Sequence, residues 1–327
     1  LLIAPTAKSG FALTIQERFI AALPGGTSAR TWLERLRRAP SQAAHLAEAA
    51  ALLVVMTVFA CLPLDWASRL GGAIGRTVGP RLGLSRRALR NLRRAMPENS
   101  ETENRRILRG MWDNLCRTMA EYPHLARIAA SGSNRVEIVN GEALTGLAAA
   151  GTPGILFGGH LGNWEMGPST VHRLMGGSLL SVYRAANNPW VDRLMRRFHR
   201  GRRAVPKGAD GGRNLVRQLR RGGSIALLVD QKQNDGIAVP FFGRAAMTAS
   251  AIARLGYRFG CPLIPVRFER LKGARFRCTV LSPIEMVETG DTVRDVATTM
   301  TRVNAVLEGW IRARPEQWLW IHSRWPA

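Results

Sequence analysis

The chain has 327 residues, enough for a sizeable core in one large domain or two ordinary ones. Its 46% hydrophobic content excludes a multi-span membrane protein and wholesale disorder alike. Forty-seven basic against 23 acidic residues leave a net charge of +24, so the surface attracts anionic lipid, acidic protein or nucleic acid.

The positive charge is concentrated. Between Arg184 and Arg221 there are 12 basic and 2 acidic residues, and between Arg81 and Arg109 there are 9 and 3. Cys61, Cys116, Cys261 and Cys278 are far apart, with no CxxC pair and no His/Cys cluster at zinc-ligand spacing, which predicts reduced thiols and no structural metal.

In chain order, residues 1–44 are expected to be an N-terminal extension, 45–130 a helical region with an apolar membrane-associating helix, and 131–327 an α/β catalytic core. Ala49 to Leu62 is apolar throughout. As a helix it would cover about 21 Å against a hydrocarbon core of about 30 Å, short for a confident span. It reads either as a buried core helix or as a membrane-inserted or interfacial anchor. Asp65 and Ser85 are expected N-caps of two further helices, the second carrying Arg86, Arg87, Arg90, Arg93 and Arg94 before Pro97 stops it. A basic helix beside an apolar one suits a membrane surface, although a solvated charged face would read the same way.

From about Arg135, short apolar runs alternate with helical stretches, the pattern of an α/β fold with a mixed central sheet flanked by helices. Strands are expected at Val136 to Val139, Gly154 to Phe157, Leu179 to Tyr183, Ser224 to Val229, Leu263 to Phe268 and Arg275 to Leu281. Helices are expected near 142–150, 164–175, 188–199, 211–221, 247–259 and 292–313.

Ligands of open α/β sheets collect at the carboxyl ends of strands. After the second expected strand the chain reads Gly158-Gly159-His160-Leu161-Gly162-Asn163-Trp164-Glu165. The two glycines allow a sharp turn and leave room for a substrate beside His160, a candidate general base. Its expected partner is Glu165, which would fix the imidazole tautomer and stabilise the imidazolium. A five-residue offset rotates about 140° on an ideal helix, so the pair can meet only if His160 lies in the turn ahead of the helix.

Gly162 and Asn163 suit a helix start and are candidate substrate-binding residues. Arg184, at the end of the next strand, could grip a phosphate or an oxyanion. Asp230 and Gln231, after the strand beginning at Ser224, could line the same cleft. The absence of GxxxxGK[ST], GxSxG and HExxH, and of GxGxxG after the first strand, removes the arguments for nucleotide, serine-hydrolase and zinc-protease chemistry. His45, His124, His172, His199 and His322 have no usable partner spacing.

NLRRAMPE at 91–98, HLGNWE at 160–165, YR at 183–184 followed by NNP, LLVDQ at 227–231, PFFG at 240–243 and PEQWLWIHSRW at 315–325 occur in this order. Together they resemble the lipid A biosynthesis acyltransferase family, the bacterial lauroyl and myristoyl transferases within the lysophospholipid acyltransferase superfamily. The superfamily's box of a histidine followed five residues later by an acid corresponds to His160 and Glu165. The resemblance implies an acyl carrier protein thioester as donor, an anionic glycolipid (a lipid A precursor) as acceptor, the cytoplasmic face of the bacterial inner membrane as location, and no metal or redox cofactor. Relatives that acylate mannosylated phosphatidylinositol leave a second acceptor class open, and the final glutamate of HLGNWE favours lipid A. A nucleic-acid-binding reading of the charge finds no binding motif and no use for the apolar run at 49–62.

Overall fold

The computed structural model describes residues 26–130, 132–198 and 203–325, with side chains described from residue 42 onward. Residues 1–25, the first part of the expected extension, lie outside the described residues, as do His199 and Arg200.

Among the described residues five α-helices precede the sheet: α1 (Gly26–Cys61), α2 (Leu64–Val78), α3 (Leu84–Ala95), α4 (Glu101–Glu121) and the single turn α5 (Leu125–Ile128). Helix α4 begins with a serine N-cap: the Ser100 hydroxyl accepts from the Glu103 N–H at 3.1 Å. The two expected caps do not form. Pro63 occupies the N-cap of α2, while Asp65 sits in its first turn and pairs with Arg135 at 2.7 Å. Helix α3 starts one residue before Ser85, whose buried hydroxyl donates to the Gly79 carbonyl and accepts from the Trp112 indole. A short polar side chain near a helix start is equally able to join a tertiary network, and here the packing of α3 on α4 decides.

The α/β part runs β1 (Val136–Val139), α6 (Glu142–Ala149), β2 (Ile155–Gly158), α7 (Gly167–Leu174), β3 (Leu179–Tyr183), α8 (Pro189–Phe198), β4 (Ala204–Pro206), α9 (Ala209–Arg220), β5 (Ser224–Leu228), the hairpin β6 (Ile237–Phe241) and β7 (Arg244–Thr248), α10 (Ala251–Phe259), β8 (Leu263–Lys272), β9 (Arg275–Val280) and α11 (Thr292–Ala313). Seven strands form a sheet of order β1-β9-β8-β2-β5-β3-β4, in which only the β8–β9 pair is antiparallel. The mixed sheet flanked by helices is the expected class. The expected helix at 164–175 resolves into a 3₁₀ turn, Trp164–Met166, followed by α7. The expected helix at 247–259 is shorter, because its first residues complete the β6–β7 hairpin that PFFG turns.

Strand β2 lies at the centre of the sheet. Its continuous run Ile155-Leu156-Phe157 is buried, as a parallel strand covered on both faces requires, and each such side chain contributes about 1.5–3 kcal/mol. The helices before the sheet share its core: Leu92, Ile107, Met111 and Trp112 pack in one cluster with Ile155, Phe157, Leu307 and Trp318.

A buried polar network joins the two regions. Arg270 on β8 donates to both oxygens of Glu121 at 2.5 and 3.0 Å and to the Asn114 side-chain oxygen at 2.8 Å. Glu121 also accepts from Ser68 and Asn163. Glu121→Gln would leave the buried Arg270 charge without its carboxylate, and should cost about 3–5 kcal/mol. Chemical denaturation of the variant beside the wild type reads this directly, and an unchanged midpoint would mean that water or another group compensates the arginine.

Candidate active site

Strand register builds the site. Strands β2 and β5 run parallel with Gly158 opposite Leu228, and the Val229 N–H continues the ladder to the Gly158 carbonyl at 3.0 Å. Two residues beyond this last pair stand His160 and Asp230. The His160 backbone N–H donates to Asp230 Oδ2 at 2.9 Å, and ring Nδ1 lies 2.8 Å from Oδ1. The Trp318 indole donates to Oδ2 at 2.7 Å.

The two carboxylate oxygens thus meet three N–H donors in a buried setting. Burial by itself would raise the Asp230 pKa, but the facing imidazole and these hydrogen bonds outweigh it and hold the carboxyl well below the usual range. Burial would likewise lower the His160 pKa, yet the charge and hydrogen bond of Asp230, with the charge of Glu165, raise it above the ordinary value. An ionised acceptor at Nδ1 requires the Nδ1–H tautomer in the neutral ring, leaving Nε2 as the basic atom. The His160 side chain keeps 17% of its surface exposed, while that of Asp230 is fully buried.

The Gln231 amide nitrogen lies 3.1 Å from His160 Nε2 and 2.8 Å from Nε2 of His322. Burial, then the neighbouring His160, Arg184 and Arg87 charges, pushes His322 down to about 4, so it is neutral at physiological pH and can accept from the amide.

Glu165 is the expected partner of His160, and the carboxylate that meets His160 Nδ1 in the structure is that of Asp230. Glu165 sits half-buried in the turn Trp164–Met166, accepts from the Trp164 indole at 3.0 Å and acts on His160 through its charge, while the Trp164 ring packs edge-on to the imidazole. His160 does lie in the turn ahead of the helix.

Gly162 and Asn163 face the scaffold. Gly162 has φ of 56°, in the left-handed region, and its carbonyl accepts from Asn114 at 2.9 Å and Thr118 at 3.2 Å. Asn163 is buried and donates to Glu121 at 2.8 Å. Through these contacts the two residues, expected to be substrate-binding, tie the His160 turn to the Glu121–Arg270 network. Arg184 is exposed at the end of β3, close enough for its charge to act on His322.

Trp318 and His322 carry no role in the sequence reading. The segment after α11 brings them in, because Leu161 bridges Trp318 and the Gly162 N–H donates to the Gln317 carbonyl. Asn91 on α3 fixes the same segment by donating to the Trp320 and His322 carbonyls at 2.7 and 2.5 Å. Two motifs that sequence order alone left unconnected, around Asn91 and around Trp318, thus meet behind His160.

Among the described residues no group of three or more His, Cys, Asp or Glu side chains is placed to hold a metal ion. The arrangement suits proton transfer: a base, an ionised carboxylate fixing its tautomer and an amide beside the reactive nitrogen.

A comparison with curated proteins finds no match. The pattern described as bacterial lipid A biosynthesis acyltransferase matches residues 39–327, which include the C-terminal part of α1, helices α2 to α5, the whole sheet and the C-terminal segment. With most of its length matched, the chain belongs to the bacterial lipid A biosynthesis acyltransferase family.

Proposed function

We propose that this acyltransferase moves a fatty acyl group of the lauroyl or myristoyl type from an acyl carrier protein thioester to a hydroxyl of a lipid A precursor, at the cytoplasmic face of the inner membrane. His160 Nε2 removes the acceptor hydroxyl proton as the oxygen attacks the thioester carbonyl carbon. The tetrahedral intermediate collapses with cleavage of the carbon–sulfur bond, and the imidazolium returns its proton to the departing thiolate. Asp230 holds the tautomer and, with Glu165, stabilises the imidazolium.

The observation that carries this reading is the 2.8 Å contact between His160 Nδ1 and a buried, ionised Asp230, which directs basicity to Nε2. The two anionic substrates also fit the net charge of +24 and the arginine cluster from 184 to 221. Mass spectrometry of lipid A from a strain lacking the protein tests the reading. One acyl chain should be missing, and restored only by an active copy. An unaltered lipid A profile beside the loss of a chain from another glycolipid would move the acceptor to that lipid.

Arg184, in this reading, grips a phosphate of the acceptor. Arg184→Lys keeps the charge but loses the planar fork, so kcat/KM for the phosphorylated acceptor should fall about tenfold. Unchanged kinetics would return Arg184 to the solvated surface.

A further inference from the structure

The stretch Gln42–Cys61 of α1, 20 residues with a mean hydropathy of 1.9 over its most apolar 18-residue window, is long and apolar enough to cross a bilayer. Its docking speaks against that orientation. His45, Ala49, Leu52, Met56 and Phe59 are its less exposed residues, spaced 4, 3, 4 and 3 apart, and they form one narrow stripe along the helix. At one end Asn188 donates to the His45 carbonyl at 2.8 Å and to Glu48 at 2.9 Å. In the middle Leu52 and Met56 pack with Tyr122, Leu125, Met195 and Phe198. At the other end His124 Nε2 bonds the Phe59 carbonyl at 3.0 Å. Contact therefore runs from residue 45 to 59, about 21 Å of helix.

A helix fastened sideways over that length cannot cross the hydrocarbon without taking its partners along. Those partners include α8, which carries Arg193, Arg196 and Arg197, and the irregular backbone at 184–188. Charged side chains and open backbone are both strongly disfavoured at membrane depth.

The outward faces are apolar. On α1 Leu46, Leu53, Val54, Val55 and Val58 are exposed. Helix α2 reverses the usual arrangement of sizes. Its small residues Ala67, Ser68, Gly71 and Gly75 are buried against α4, where a methyl group on Gly75 would come within 2.2 Å of the Trp112 carbonyl oxygen. Its large residues Trp66, Leu70, Ile74 and Val78, four apart, point outward. Arginines border these rows: Arg69 over the Trp66 ring, Arg81, Arg86 and Arg87 beyond α2, and Arg193 over the exposed Trp190. Apolar rows rimmed by arginines and aromatic residues match the boundary between acyl chains and anionic headgroups.

We propose that α1 and α2 lie in the plane of one leaflet of an anionic membrane, and that α1 does not cross the bilayer. This rests on the membrane location given above. Because Asn188 follows Arg184 by four residues and is clamped to α1, such a docking holds the Arg184 loop at headgroup level, where a lipid acceptor can arrive laterally.

Spin labels on Leu46→Cys, Leu53→Cys and Ala60→Cys, each in a full-length Cys61→Ser, Cys116→Ser background, distinguish the orientations. All three positions are exposed and follow one side of α1. In vesicles of phosphatidylethanolamine and phosphatidylglycerol, collision with oxygen against a water-soluble nickel chelate reports depth. The expected result is one shallow depth for all three labels, about 5–10 Å below the headgroups. A profile with Leu53 near the bilayer centre and the two ends shallow on opposite sides would overturn the in-plane orientation while leaving the membrane location intact. Protein that fails to float with the vesicles, its labels favouring the nickel chelate throughout, would overturn both.

Discussion

His160→Ala is expected to fold and to lose about 10²–10⁴-fold in turnover, the scale of general-base removal. Folding should survive because the backbone N–H of residue 160 and the Trp318 indole still satisfy Asp230. Turnover should not, because no other neutral base takes the same position: His322 Nε2 lies beyond the Gln231 amide that bonds it. Thiol release from an acyl carrier thioester in the presence of acceptor measures the rate, and thermal denaturation confirms the fold. A folded His160→Ala enzyme with near-normal transfer would end the general-base mechanism.

Asp230→Asn should be at least as damaging, for a reason that lies in donor counting. The wild-type carboxylate faces three N–H groups, from His160 twice and from Trp318 once. An asparagine offers one oxygen and one NH₂. If the oxygen keeps the His160 backbone and Trp318 donors, the NH₂ faces Nδ1 and forces the tautomer that protonates Nε2, the atom required as base. If the oxygen turns to Nδ1, the NH₂ opposes two donors at a buried site, a conflict of about 1–3 kcal/mol. The first arrangement should reduce turnover by roughly 10⁴-fold, the scale measured where an aspartate that orients a catalytic histidine is replaced by asparagine. Stability follows the same group. Its ionised form is favoured in the fold, so its contribution is present above the ordinary carboxylate range and is lost progressively as pH falls from that range towards the lowered folded-state pKa, whereas the asparagine variant lacks that pH dependence.

The parts of the molecule legible in the sequence are those set by local pattern. Apolar runs of strand length located β2, β3, β5 and β8, and the Gly-Gly-His turn after β2 singled out His160, the base of the proposed mechanism. The identity of its partner depends instead on β2–β5 register, a contact between residues 70 apart. Nothing near His160 in sequence announces it, and Glu165 was the nearer acid. His322 had no partner at helical spacing because its contact runs through Gln231, 91 residues earlier. Asn163 looked like a helix start and became a buried donor to Glu121, since α4 passes behind the turn. The hairpin β6–β7 was hidden for another reason. Its Phe242-Gly243 turn puts a phenylalanine at φ of 52°, a position that favours glycine, and the Glu308 carboxylate secures it by accepting the Phe242 N–H at 2.6 Å.

The pH dependence of kcat/KM, measured on wild type, Asp230→Asn and Glu165→Gln, tests most directly which carboxylate governs His160. The base works only when neutral, so activity falls as pH drops through its pKa. In the wild type that pKa is raised, which places the acid limb above the ordinary imidazole value of 6.5. Removing the Asp230 charge leaves burial, the largest influence on the ring, against the smaller charge effect of Glu165, so the residual activity of Asp230→Asn should show its limb below that value. Glu165→Gln should move the limb in the same direction by less. A limb unmoved in Asp230→Asn, with Glu165→Gln alone abolishing or shifting it, would contradict the His160–Asp230 assignment and return the role to Glu165.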